Sequence, residues 1–335
     1  MIVRLTVRVV IVAACSLAAP TKSSGAELLP VADKRCNYLL RGTITPDDDR
    51  LFSSLNDVRV CLDSDGGSFA GGKALATQFM SEGIQTYVRR GDRCHSACAL
   101  AFLGGSIWGD FRHASRTLEP GATLGFHAPY LTLEAGRYGA EDMDASFLVS
   151  MVIAQSLVAD LVELKISRSF LSEFLLYPSK NTKTVRTVRD AALAGIDLDT
   201  SFSDPSISSH DAAMACETIF ERHADAFADP VTAWTPVFEP SANSEFSKTH
   251  EGRLDQGETK WIMVSTIHSE ETPYLTASCA FSPEENQWGG RGAVAWSNGG
   301  GAEPDFVHPD RVMRLDVPSW YFLPGDMEVS KLAGN

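Results

Sequence analysis

Three short segments of this 335-residue chain carry the residue types of an acyl-transfer site. The first is Asp-Ser-Asp-Gly-Gly-Ser at 63–68, the second is Cys-His-Ser-Ala-Cys at 94–98, and the third is Gly-Phe-His at 125–127. A serine can attack a carbonyl carbon, a histidine can take its proton, and a Gly-Gly turn can direct a backbone N–H toward the oxyanion. The pattern therefore predicts a nucleophile, a general base and an oxyanion hole.

The order and spacing of these segments resemble the Clp-protease and crotonase superfamily, most closely its small exported members. The matching stretch runs from about residue 37 to about residue 197, and Asp65 stands where the family pattern usually has Pro. The resemblance implies an α/β fold built from repeated ββα and βαβ units around a largely parallel sheet. Apolar runs that alternate with helical patterns along the same stretch favour that architecture independently.

The resemblance also assigns the site residues, position by position. Ser96 is identified as the nucleophile and His127 as the general base. The backbone N–H groups of Gly67 and Ala97 are expected to form the oxyanion hole. Two neighbouring turn residues would contact the substrate: Gly66 and Ser68. For Ser68, an N-cap role at the start of the following helix is the alternative that we favour.

The chain departs from the family at the residue that should orient the histidine. Clp-type peptidases use an Asp, but the corresponding stretch at 178–183 contains no acid, and Asn181 lies nearest the expected position. An asparagine can hold one imidazole tautomer, but it adds no charge to stabilise the imidazolium, and that loss has reduced turnover by about four orders of magnitude in serine enzymes. Two functions therefore stay open. One is an exported serine hydrolase, in particular a peptidase, and the other is a catalytically weak or inactive Clp-like scaffold that binds partners.

Composition argues against several other classes of function. The formal net charge is −14 and the basic residues are not clustered, so we expect no nucleic-acid partner. No Cys/His spacing matches a zinc site, and the Asp63-x-Asp65 pattern lacks the other acids of a calcium loop, so we expect no metal. We expect no organic cofactor, since export would separate the chain from the coenzyme A that crotonases use. The expected partner is a peptide or protein substrate, and the resemblance implies a homo-oligomer.

The N-terminal segment has the features of a signal peptide. Arg4 and Arg8 flank the start of a short apolar run, and Ser-Gly-Ala at 24–26 offers small residues for cleavage. We therefore expect residues 1–26 to be removed and the mature chain to be periplasmic or otherwise exported. A lipoprotein signal with Cys15 as the lipidated residue is a second interpretation. No later run is long and apolar enough to predict a transmembrane segment.

The remaining chain divides at a stretch rich in Ser, Asp and Pro near residue 203. We expect a Clp/crotonase-like domain at 27–203 and a small α+β module of unknown family at 204–335. Beyond the leader there are six cysteines, an even number that suggests disulfides in an exported protein.

The domain division favours a disulfide between Cys216 and Cys279. It leaves four candidates in the first domain: Cys36, Cys61, Cys94 and Cys98. Cys94 with Cys98, around the serine, is one candidate pair. Burial of Cys61 and Cys98 as small hydrophobic residues is the alternative.

Overall fold

The computed structural model describes residues 25–109, 112–130, 139–178, 181–200, 209–223, 249–253, 260–268, 276–281, 292–297, 312–315 and 317–334. The predicted leader, apart from its last two residues, and most of the predicted linker lie outside these ranges.

Sixteen strands and six α-helices lie in the part of the chain that the structure describes. The strands are β1 (Glu27–Asp33), β2 (Cys36–Arg41), β3 (Arg59–Asp63), β4 (Gln85–Val88), β5 (Arg93–His95), β6 (Ser106–Trp108), β7 (Arg112–Ala114), β8 (Arg116–Leu118), β9 (Thr123–Phe126), β10 (Lys183–Thr184), β11 (Asp197–Leu198), β12 (Thr249–Arg253), β13 (Lys260–His268), β14 (Thr276–Phe281), β15 (Gly292–Ser297) and β16 (Val312–Leu315). The helices are α1 (Phe69–Glu82), α2 (Ala97–Leu103), α3 (Ala140–Leu164), α4 (Arg168–Leu175), α5 (Val188–Leu193) and α6 (Ser209–His223).

The main sheet contains six strands in the order β1-β2-β3-β4-β8-β11. Its pairings are parallel except for the antiparallel pairing of β1 with β2. The centre of β3, which is Val60, Cys61 and Leu62, is fully buried, as expected of a parallel strand that is covered on both faces. These observations confirm the predicted mixed α/β fold with a mostly parallel sheet.

A second sheet contains three strands in the order β10-β9-β5. Its strands β5 and β9 lead directly into Ser96 and His127, two of the residues predicted to form the site. β5 pairs with β9 in parallel, so His95 lies opposite Gly125. Two hydrogen bonds attach the end of β3 to β5: Ser64 N–H donates to Arg93 O at 2.7 Å, and His95 N–H donates to Ser64 O at 3.0 Å. The Gly-Gly turn after β3 is thereby brought beside the serine that follows β5.

A fully buried arginine joins the C-terminal ends of the helices around this region. The guanidinium group of Arg116 donates to four carbonyl oxygens, those of Leu103, Leu164, Lys165 and Gly195. Burial and, to a smaller extent, the positive charge of Arg222 lower the pKa of Arg116 to about 9, while Asp197 opposes the shift, so the group stays protonated at pH 7. Unpaired carbonyl groups at helix ends carry partial negative charge, which accounts for this use of a buried cation.

Beyond residue 203, α6 lies against a five-stranded antiparallel sheet in the order β12-β13-β14-β15-β16. The final described segment, 317–334, returns to α5. Val188 N–H donates to Met327 O at 3.0 Å, and Val329 N–H donates to Arg186 O at 2.8 Å. One hydrophobic core extends across residue 203, because buried side chains on both sides of it pack into the same cluster. Within the described ranges, every helix is too short or too polar to cross a membrane.

All six cysteines beyond the leader form disulfides, in three pairs: Cys36–Cys61, Cys94–Cys98 and Cys216–Cys279. The predicted Cys216–Cys279 bond is confirmed, with a Cα–Cα distance of 5.7 Å. The Cys94–Cys98 candidate is also confirmed, and the alternative of free, buried Cys61 and Cys98 is wrong. Three disulfides are typical of a chain that folds in an oxidising compartment.

Candidate active site

Ser96 occupies a sharp turn between β5 and α2. Its backbone has φ 56° and ψ −119°, a region that residues other than glycine rarely adopt. The Ser96 N–H donates to Gly125 O at 3.0 Å, and the Leu100 N–H donates to Ser96 O at 3.0 Å, so both sides of the turn are held. Strained strand-to-helix turns of this kind present the nucleophile in α/β-hydrolases. No glycine marks the position, so the sequence carried no signal of this conformation.

Gly66 packs directly against this turn. It has φ 102°, and an added Cβ would lie 2.6 Å from His95 O and 2.7 Å from Ser96 Cβ. Gly66 is buried, so it positions the turn and does not reach the cavity beside the serine. The Ser68 hydroxyl accepts the Gly71 N–H at 3.3 Å, which makes Ser68 the N-cap of α1. The structure therefore places neither of these two predicted substrate contacts on the cavity wall.

Gly67 and Ala97, the residues predicted to supply the oxyanion N–H groups, both lie beside Ser96 on the cavity wall. Ile44 binds one side of the Gly-Gly turn, because its N–H donates to Gly66 O at 2.9 Å and its carbonyl accepts the Ser68 N–H at 2.8 Å. Since successive N–H groups of an extended chain point in opposite directions, the Gly67 N–H is directed away from Ile44. Gly67 and Ala97 both line the cavity, and neither N–H has a hydrogen-bond partner within the described residues. These are the properties required of an oxyanion hole.

His127 follows β9 and lines the same cavity as Ser96. Its Nδ1 lies 2.8 Å from the carbonyl oxygen of Ala128. Because a carbonyl oxygen can only accept, Nδ1 carries a proton in this contact. In the neutral ring this leaves the lone pair on Nε2, which is the tautomer that a general base needs. The Ser96 hydroxyl and the His127 ring make no hydrogen bond to each other, and such contacts often form only when substrate is bound.

Asn181 is exposed, and the structure does not bring its side chain to His127. The Asn181 N–H donates to Pro178 O at 2.8 Å, and no hydrogen bond joins Asn181 to the His127 ring. The position that a third triad member would fill, next to Nδ1, is taken by Ala128 O. The Ala128 carbonyl thus provides the orienting hydrogen bond that was expected from Asn181, and like an asparagine it carries no charge.

Carboxylates close to this sheet are engaged elsewhere. Glu173 and Asp190 bind the ammonium group of Lys183 at 2.6 Å and 2.9 Å. Among the described residues, no carboxylate forms a hydrogen bond or ion pair with His127. Likewise, the described His, Cys, Asp and Glu side chains form no cluster that could hold a metal ion.

A second histidine lies beside the site. His95 precedes Ser96 and pairs with Gly125, two residues before His127. Its Nε2 is buried and, within the described ranges, has no hydrogen-bond partner. Burial lowers the pKa of His95; Asp65 opposes this shift, and Arg93 and His127 add to it, so His95 is neutral at pH 7. Sequence reasoning assigned it no role in the site.

The cavity beside Ser96 has a volume of about 120 Å³. Most of its wall is apolar and comes from seven residues: Phe69, Leu100, Leu103, Phe126, Pro129, Leu157 and Phe174. Phe126 contacts Phe170 and Phe174 with ring centroids 5.2 Å and 5.6 Å apart, which supports one side of this wall. A liquid water occupies about 30 Å³, so the space suits one medium-sized apolar group. Among the residues that the structure describes, those that line the cavity include no Asp, Glu, Lys or Arg.

No protein-family model matches this chain, and no curated protein matches it at a significant level. The class of site is therefore defined by its geometry around one apolar cavity. It combines a strained serine turn with a histidine Nε2 and two backbone N–H donors that have no hydrogen-bond partner among the described residues.

Proposed function

We propose that this protein is an exported serine hydrolase, and within that class a peptidase of the Clp/crotonase type. The observation that carries the proposal is the convergence on one apolar cavity of the strained Ser96 turn, the His127 ring and the Gly67 and Ala97 N–H groups. The placement of Ser96 and His127 directly after two adjacent parallel strands, β5 and β9, beside a mostly parallel main sheet also supports it.

In the proposed reaction the Ser96 oxygen attacks the scissile carbonyl carbon while His127 Nε2 takes the hydroxyl proton. The Gly67 and Ala97 N–H groups donate to the oxyanion of the tetrahedral intermediate. Collapse breaks the C–N bond, and His127 returns the proton to the leaving amine. A water molecule then gives its proton to His127 and attacks the acyl-enzyme ester, and the proton passes back to Ser96 when the ester bond breaks.

The hydrogen bond from Nδ1 to Ala128 O holds the required tautomer, but a neutral carbonyl stabilises the imidazolium less than a carboxylate does. Turnover should therefore be slow compared with enzymes that have a complete triad. The same observation favours a second candidate, a Clp-like scaffold of the cell envelope that binds partners and has little or no catalytic activity.

Labelling of the purified protein with a fluorophosphonate probe separates the two candidates. The hydrolase proposal requires that wild-type protein is labelled and that Ser96→Ala is not. Ser81→Ala is the matched control, because Ser81 is exposed at the end of α1, outside the cavity, and should label like wild type. Absence of labelling in folded wild-type protein, at any pH between 6 and 9, would reject the hydrolase in favour of the scaffold.

The proposed compartment is the periplasm or another site outside the cytoplasm, and the three disulfides support it. N-terminal sequencing of the protein recovered from the producing cell tests this. A chain that starts near Glu27 supports export with cleavage after residue 26. A lipid on Cys15 contradicts that cleavage site and supports the lipoprotein interpretation, whereas an intact Met1 contradicts export.

A further inference from the structure

The Cys94–Cys98 disulfide encloses the nucleophile. The two cysteines lie two residues before and two residues after Ser96, with Cα atoms 5.1 Å apart. Cys94 belongs to β5 and Cys98 to the first turn of α2. The bond therefore ties the end of the strand to the start of the helix across the strained turn.

The conformation of Ser96 needs restraint on both of its sides. A non-glycine residue with positive φ persists only when the surrounding structure determines it. On the strand side, the Ser96 N–H is held by Gly125 O. On the helix side, the direction of the Ala97 N–H depends on where α2 begins relative to β5. The disulfide is the covalent link that sets this relation.

A comparison of the three disulfides favours a local role for this one. Its cysteines are separated by 4 positions in sequence, against 25 for Cys36–Cys61 and 63 for Cys216–Cys279. Closing a short loop restricts the unfolded chain least, so this bond contributes least to global stability by loop entropy. Cys94 and Cys98 are both fully buried, so the bond also has no surface role.

We propose that the Cys94–Cys98 disulfide is the positioning element of the Ser96 turn, and that the site becomes competent only when the chain folds in the presence of a disulfide oxidant. This role presupposes the serine-hydrolase function proposed above and adds a redox condition to it. Before export, with both thiols reduced, the turn would relax and the oxyanion N–H groups would lose their alignment.

The activating step is a thiol–disulfide exchange with a protein or small-molecule disulfide. The thiolate of one cysteine attacks the oxidant's disulfide, which forms a mixed disulfide and releases one oxidant thiol. The second cysteine thiolate then attacks the mixed disulfide, so that the Cys94–Cys98 bond forms and the second oxidant thiol leaves. The two cysteines lose two electrons and two protons, and the oxidant gains them.

The test compares two double variants of the full mature chain, Cys94→Ala/Cys98→Ala and Cys36→Ala/Cys61→Ala, with wild type. The first removes the bond around the nucleophile, and the second is the matched control, because it removes a buried disulfide of the same domain. The probe is an alkyl fluorophosphonate, and its binding constant KI and its inactivation rate kinact are measured separately. Hydrogen exchange of the 93–100 backbone amides is measured in parallel.

The first variant should lose about 10- to 100-fold in kinact with KI changed less than about twofold, because a displacement of about 1 Å in a reacting group has such an effect. The apolar cavity wall that binds the alkyl group is left in place. Exchange at 93–100 should rise in this variant only. The control should keep wild-type kinact although it melts at a lower temperature.

A wild-type kinact and unchanged exchange at 93–100 in the first variant would overturn the positioning role while leaving the hydrolase intact. A wild-type protein that is never labelled rejects the hydrolase, and the exchange measurement then still decides the positioning role. If the first variant does not fold, wild-type protein is treated with increasing dithiol and each disulfide is mapped by mass spectrometry. Loss of labelling must then follow the opening of Cys94–Cys98, and labelling that persists after it opens overturns the proposal.

Discussion

Replacing Ser96 with glycine should stabilise the protein while it abolishes the proposed reaction. The backbone of Ser96, at φ 56° and ψ −119°, lies in a region that costs a non-glycine residue about 1–3 kcal/mol and that glycine adopts freely. Glycine loses about 0.5–1 kcal/mol more conformational entropy on folding than alanine does. The Ser96 hydroxyl makes no capping hydrogen bond that would be lost. The net gain should therefore lie between about 0 and 2.5 kcal/mol, with a central value of about 1 kcal/mol.

Ser96→Ala is the matched control, because it removes the same hydroxyl but keeps a Cβ and hence the strain. Urea unfolding with the disulfides intact should place Ser96→Gly about 1 kcal/mol above Ser96→Ala, and its Tm about 2–4 °C higher. Neither variant should react with a fluorophosphonate. If Ser96→Gly is as stable as Ser96→Ala or less stable, the turn stores no strain, and the interpretation of this conformation as a functional device fails.

Three further predictions follow from the described contacts. Arg116→Met should lower the free energy of unfolding by about 3 kcal/mol or more, since each buried carbonyl left without a donor costs about 1–3 kcal/mol. Urea unfolding measures this loss, and a loss below about 1 kcal/mol would contradict the stabilising role of the four hydrogen bonds. Burial lowers the pKa of His95 below that of an unfolded histidine, so the unfolded state binds more protons in acid, and stability should decline as pH falls below about 6.5. His95→Phe should make the pH dependence of Tm between pH 7 and 5 shallower, and an unchanged slope would refute the assignment. Cys216→Ala/Cys279→Ala should lower the free energy of unfolding by about 4 kcal/mol from loop entropy alone. Fluorophosphonate labelling at 20 °C should persist in this variant, because the bond lies outside the cavity. Loss of labelling in folded variant protein would contradict the separation of this disulfide from the site.

The features that depend on local chemistry could be predicted from the amino-acid sequence. Alternating apolar runs and helical patterns predicted a mostly parallel α/β arrangement, because both periodicities follow from the geometry of single elements. Residue type and spacing marked Ser96 and His127 as a pair, and the structure places both on one cavity. The even number of cysteines and the domain division were enough to predict the Cys216–Cys279 bond.

The orientation of the site residues and the walls around them depend on contacts between distant parts of the chain. The positive φ of Ser96 depends on β5, α2 and Gly66 together, so the residues next to Ser96 in sequence do not predict it. The hydrogen bond between His127 Nδ1 and Ala128 O could not be predicted from the sequence either. Every residue has a carbonyl group, and only the geometry of the folded chain determines which one the ring contacts. The apolar wall combines side chains of α1, α2, α3 and α4 that lie far apart in the chain. Contacts of this kind depend on packing between distant elements, which local sequence patterns do not specify.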